Sequence, residues 1–113
     1  AKIYGEVVGY GASCDASHIT APDAEAVASS YAVDMALRTA NINPEDVGYV
    51  NAHGTSTPLN DKTEVAMLKK TFKDHAANLH VTSSYHCKKA LLHLQSTLRL
   101  SPKNVKVWRL HKN

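Results

Sequence analysis

Apolar and polar positions alternate in blocks along this chain, and the blocks change period. Residues 3–10 concentrate Ile3, Tyr4, Val7, Val8 and Tyr10, the β-branched and aromatic density that predicts a strand. A helix is predicted from Pro22. Proline suits a first helical turn, Asp23 and Glu25 favour its positive end, and Val27, Tyr31 and Met35 recur at i, i+4 and i+8. Asn41 is placed to end that helix in the left-handed conformation. Residues 48–52 predict a short buried strand. A second helix follows, capped by Asn60 or Asp61, with Glu64 three residues after Asp61 in a capping-box-like spacing. Its Val65, Leu68 and Phe72 point inward, while Lys69, Lys70 and Lys73 face water. Residues 79–83 predict a third strand. Further on, Leu91, Leu94 and Leu98 could form a weak stripe, and Val105, Val107 and Leu110 a strand-like segment. Strands alternating with helices predict an α/β fold.

Composition narrows the class. With 113 residues, 43% of them hydrophobic, the chain supports one small core and not two. Its two cysteines show no framework spacing, which argues for a reducing intracellular compartment, cytoplasm or mitochondrion or plastid, and against a disulfide scaffold. No apolar run approaches the roughly 20 residues of a membrane helix, so no membrane association is expected. The chain opens inside a strand pattern, so no targeting peptide can be read. Charge is unevenly spread. Residues 1–84 carry six Lys and Arg against ten Asp and Glu, a balance of −4; residues 85–113 carry seven Lys and Arg and no acid, a balance of +7. The expected division is therefore residues 1–84 as the folded part and residues 85–113 as a divergent basic tail.

The candidate chemistry lies in Asn51-Ala52-His53-Gly54-Thr55-Ser56-Thr57-Pro58-Leu59-Asn60-Asp61. A histidine stands where an extended apolar segment becomes a loop of glycine, hydroxyls and proline, and a helix follows. Strand, polar loop and helix in that order is where α/β proteins hold reactive side chains.

This string resembles the first histidine motif of the β-ketoacyl-acyl-carrier-protein synthases, the decarboxylating condensing enzymes of fatty-acid synthesis in the thiolase-like superfamily. The resemblance continues on both sides. Ile3-Tyr4-Gly5-Glu6-Val7-Val8-Gly9-Tyr10-Gly11 is similar to the strand opening the family's C-terminal half. Asp15-Ala16-Ser17-His18-Ile19-Thr20-Ala21-Pro22 is similar to the loop after it, and Asn43-Pro44-Glu45-Asp46-Val47 to the approach to the histidine strand. Residues 2–84 thus match nearly without a break, and the wording around Asn51 and Thr55-Ser56-Thr57 favours the free-standing fatty-acid type over modular polyketide synthases.

The resemblance implies a partial thiolase-like C-terminal half, a mixed sheet flanked by helices. It implies that His53 donates a hydrogen bond to the thioester oxygen as malonyl loses carbon dioxide, because the enolate charge must be stabilised as it forms. Thr55 and Thr57 would hydrogen-bond the amides of a phosphopantetheine arm, and local turn formation before Pro58 is their other reading. Asp15, His18 and Thr20 would belong to a mobile gating loop, with ordinary turn chemistry as the alternative. Glu64 resembles a buried acid near the site, and its capping position explains it equally well. The implied partners are acyl carrier protein and acyl and malonyl thioesters, within a homodimer, with no cofactor beyond the carrier's own arm.

Three catalytic parts of the family find no counterpart. Its nucleophilic cysteine belongs to a first half that these residues do not match. Cys14, where relatives usually carry glycine, reads as a small loop residue, and Cys87 cannot take the role either. Tyr85 stands at the position of the family's lysine and Ala90 at that of its second histidine. His86, Lys88, Lys89 and His93 are neighbours, but each residue of slip turns a helical side chain by about 100°. Loss of family pattern coincides with the charge change near Tyr85, as a frameshift, an alternative exon or a read-through end would produce.

The expectation is a fragment of an acyltransferase that elongates acyl chains by decarboxylative Claisen condensation, inactive by itself. The alternative is a non-catalytic piece that associates with itself or with an intact synthase. Cys14, His18, His86, Cys87 and His93 match no paired-ligand spacing, so no metal site is expected. The basic tail with Trp108 lacks clustered aromatics or a recognisable module, so nucleic-acid binding is not expected.

Overall fold

The computed structural model describes residues 6–83. The basic tail, Cys87, Tyr85, Ala90 and the apolar stripes expected beyond residue 90 lie outside the described residues, as do Ile3 and Tyr4 of the first expected strand. Four principal elements appear: helix α1 Val27–Ala40, strand β1 Tyr49–Ala52, helix α2 Pro58–Phe72 and strand β2 His80–Ser83. Short 3₁₀ turns at Pro44–Asp46 and Lys73–Asn78 join them. β1 and β2 pair in parallel, Tyr49 opposite His80 and Ala52 opposite Ser83. With α2 as the crossover this is a βαβ unit, so the α/β expectation holds.

One core joins the layers. Ala52 and Val81 from the sheet meet Val65, Leu68 and Phe72 of α2, closed off by Ala76 and Leu79. Leu68 is fully buried. The predicted inward triad of α2 is therefore the centre of the core, and Lys69, Lys70 and Lys73 lie at the surface.

Three expectations are corrected. First, the segment 6–10 joins no ladder among the described residues. The segment lies instead against α1, where Tyr10 donates its N–H to Thr39 Oγ1 at 3.1 Å and Ser13 Oγ donates to Ala28 O at 2.6 Å. Gly11 sits so close to the helix that a Cβ there would overlap Ala32 O. Second, α1 begins at Val27 rather than Pro22. Ala26 is left-handed, at φ 54°, and Asp23 reaches over the break to accept the N–H groups of Glu25 at 3.0 Å and Val27 at 2.9 Å. The stripe Val27, Tyr31 is half exposed (56% and 52%), and the helix buries Ala26 and Ser30 with Val33 and Leu37 packed on the core. Small residues at 26 and 30 permit the closer approach, and the periodicity alone does not say which face is covered. Asn41 does end α1 in the left-handed conformation, at φ 56°.

Third, α2 starts earlier than Asn60. Thr57 is its cap, accepting the Asn60 N–H on Oγ1 at 3.4 Å, and Pro58 takes the first helical position, where no N–H is needed. Asp61 is consequently turned inside, 2% exposed, and Glu64 is released from any capping role.

Candidate functional site

Parallel strands joined by a helix bring their C-terminal ends to the same edge, and His53 is the first residue beyond β1. The chain leaves the sheet there through Gly54, at φ 55°, and Ser56, at φ 64°. Such a turn holds its shape only if its backbone groups find partners. Among the described residues, Glu64 and Ser83 supply them. Glu64, from the second turn of α2, accepts the His53 N–H on Oε1 and the Gly54 N–H on Oε2, each at 2.7 Å. Asn60, one turn earlier on the same helix, donates Nδ2 to Glu64 Oε2 at 2.7 Å. From the other side, Ser83 at the end of β2 donates Oγ to Gly54 O at 2.9 Å and to His53 O at 3.2 Å. Position 54 is glycine for two reasons, its positive φ and a Cβ that would collide with the Ser83 side chain.

Beyond the turn, the Thr55 and Thr57 hydroxyls lie 3.0 Å apart. Facing them is the loop ahead of α1, which is braced by its own side chains. Asp15 Oδ2 accepts the Asp23 N–H at 3.0 Å. His18 Nδ1 accepts the N–H groups of Thr20 at 3.1 Å and Ala21 at 3.0 Å. A ring nitrogen that accepts carries no proton, so the neutral His18 ring has its N–H at Nε2. Asp23 holds the far end of the loop. The Val27 N–H first, and then the Glu25 N–H, keep its carboxyl below the usual carboxylate range.

Between the two walls is an open cleft of about 460 Å³. His53, Thr55 and Thr57 line one side and Asp15, His18 and Thr20 the other, so the structure brings all six sequence-predicted site residues to one place. Ile19, Leu59 and Pro22 add apolar lining. An imidazole, hydroxyls and a carboxylate spread between apolar patches can donate to and accept from an extended ligand that carries both amides and methylenes. Cys14 is exposed and is not part of the lining. Among the described residues no three His, Cys, Asp or Glu side chains gather as a metal would require.

Sequence reasoning missed Ser83 and Asn60. Asn60 had a legible signal, since it lies four residues before Glu64 and shares its helix face. What Ser83 touches follows only from the strand register that sets it opposite Ala52.

Residues 4–97 match the family profile of the β-ketoacyl synthase C-terminal domain. Over 84 residues the chain is 50% identical to 3-oxoacyl-[acyl-carrier-protein] synthase 2 of Synechocystis sp., covering 74% of this chain and 20% of the relative. It is 51% identical over 84 residues to the protein of that name from Staphylococcus aureus, covering 74% and 21%. The chain thus spans about a fifth of the length of the curated relatives it matches. Among solved structures it is similar to a type II polyketide synthase acyl-carrier protein in complex with its ketosynthase bound to the hexaketide. There the TM-score is 0.74 at 33% identity, over 86% of this chain and 25% of the other. A ketosynthase in complex with its chain length factor from Xenorhabdus doucetiae gives 0.66 at 34% identity, over 81% and 23%.

Proposed function

Given that the chain belongs to the β-ketoacyl synthase family, as part of its C-terminal domain, we propose that it carries the decarboxylation side of a fatty-acyl condensing site. The observation that supports this most is the cleft in which His53 stands beside the Thr55–Thr57 hydroxyl pair. In this reading the threonines bind the amides of a phosphopantetheine arm presented by acyl carrier protein. That leaves the malonyl thioester oxygen near the imidazole. Loss of carbon dioxide places the bond's electron pair on the thioester enolate, and the His53 N–H stabilises that oxygen as its charge develops. The resulting carbanion attacks the carbonyl carbon of an acyl group held as a thioester on a cysteine supplied by the remainder of the enzyme, forming the new carbon–carbon bond while the carbon–sulfur bond breaks and the cysteine leaves as its thiolate. Asp15, His18 and Thr20 flank the arm's entrance and gate it. The reaction takes no metal or redox group of its own, and the intact enzyme works as a homodimer.

The 113 residues alone then form no 3-ketoacyl product, because a reaction that depends on placing several groups together loses most of its rate when the nucleophile is missing. The test has two arms. The purified chain is incubated with acyl and malonyl carrier-protein thioesters, and product above a His53→Ala control would overturn the expected inactivity. Residues 1–84 are then joined to the remaining parts of a related synthase. The chimera condenses, and His53→Ala lowers its rate by about a hundredfold or more. Equal rates with and without the imidazole would defeat the assignment.

A second reading rests on the exposure of Val7, Tyr10, Ile19, Val27 and Tyr31. So much apolar side chain at the surface fits a non-catalytic piece that associates with itself or with an intact synthase. Mixing the chain with such a synthase and finding its mass and activity unchanged would remove this reading.

A further inference from the structure

Among the described residues the loop that carries His53 is held from two directions, and the second hold comes from a residue outside the histidine string. Ser83 ends β2, is 6% exposed, and lies thirty residues from the turn it touches. Its one hydroxyl proton is shared between Gly54 O at 2.9 Å and His53 O at 3.2 Å. These two carbonyls bracket the Gly54 α-carbon, on the opposite side from the N–H groups taken by Glu64. The position is tight. A Cβ at Gly54 would meet Ser83 Oγ and Cβ, so no side chain other than a small one fits at 83 without moving the turn.

We infer that Ser83 is a positioning residue for the His53 imidazole: by fixing both carbonyls of the left-handed turn it sets the direction in which the ring leaves the sheet edge. Glu64 restrains the N–H side. A turn that loses the hold on its carbonyls can rotate them toward water, and the Cα–Cβ bond of His53 rotates with them. Placing the link on β2 makes the aim of the ring a function of strand register, because Ser83 is in position only while Ala52 faces it. This inference adds a positioning residue to the proposed site and rests on the reading of His53 as the reactive imidazole.

The test reads the ring directly and needs no turnover. The full 113-residue chain is labelled with ¹⁵N at its histidines and backbone, with His53→Ala assigning the His53 ring. Three variants are compared with the parent: Ser83→Ala removes the hydroxyl, Ser83→Cys keeps the side chain's shape at slightly larger size with a poor donor, and Ser83→Gly empties the space. Ser83→Ala and Ser83→Cys both move the His53 ring resonances and speed exchange of the Gly54 amide by about fivefold or more, while the His75 ring, tied to Val47 O at 2.8 Å, stays where it was. Ser83→Gly does the same. Unmoved His53 resonances in Ser83→Ala and Ser83→Cys would overturn the inference. So would movement in Ser83→Gly alone, which would make Ser83 a space-filler. If Ser83→Ala unfolds the chain, Ser83→Cys decides between the outcomes. A failed chimera assay leaves these ring readings intact, so the positioning role and the catalytic reading fail separately.

Discussion

Replacing Glu64 by alanine removes three contacts at once: the His53 and Gly54 N–H groups and Asn60 Nδ2, each 2.7 Å from a carboxylate oxygen. A hydrogen bond to a charged acceptor contributes about 1.5–3 kcal/mol net, and a buried donor left unpaired costs about 1–3 kcal/mol. The three contacts are not equal. His53 is at the surface and water can replace its lost partner, whereas Gly54 is buried and its N–H has none. Asn60 is half-buried and can turn outward. The Gly54 N–H therefore dominates, and the whole change costs about 2–4 kcal/mol. Set against the roughly 5 kcal/mol expected of a small domain, that brings the chain close to unfolding. Glu64→Gln separates geometry from charge, since its one carbonyl oxygen can satisfy one N–H while its NH₂ faces the other. It is expected to cost less than alanine, about 1–2 kcal/mol. Urea unfolding followed by far-ultraviolet circular dichroism reads both. With a slope of about 1–2 kcal/mol per molar, the alanine midpoint falls by at least about 1 M. A Glu64→Gln midpoint equal to the parent's would refute the two-oxygen bridge, and an unchanged Glu64→Ala would refute the brace altogether.

Two further predictions use the same unfolding measurement. Leu68→Ala empties the fully buried centre of the core and lowers stability by about 3–5 kcal/mol, whereas Lys69→Ala beside it changes little. Asp23, whose carboxyl is held low by the Val27 and Glu25 N–H groups, adds stability that is present above the ordinary carboxylate pKa of about 4 and lost as pH falls through its lower folded value. Asp23→Asn should flatten the acid limb of the stability–pH curve, and an identical limb in parent and variant would show that the cap is not formed in solution.

Much of the architecture could be read locally. The inward triad Val65, Leu68 and Phe72 follows from a 3.6-residue period, and the end of α1 at Asn41 from a residue that tolerates left-handed backbone. The α1 face was a different matter. Val27-Tyr31-Met35 and Ala26-Ser30-Val33-Leu37 are both helical stripes, and only packing against α2 selects the second. The start of α2 failed for a local reason. Thr57 and Pro58 form a cap and first-position pair, but Asp61 and Glu64 offer a rival capping-box spacing one turn later.

For the site the division is sharper. The order of residues in the chain was enough to single out the imidazole, the two threonines and the facing loop as candidates, because a motif is a contiguous string and its parts need no fold to be recognised. That Asp15 and His18 stand across a cleft from residues 53–57 was decided by the tertiary structure, and so was the pairing of Glu64 and Ser83 with the turn between them. The two hydrogen-bonded links join Gly54 to groups 10 and 29 positions away and depend on directional hydrogen bonds that tolerate only a few tenths of an ångström. A linear pattern carries no information on that scale until strand register and helix crossover have set the distances.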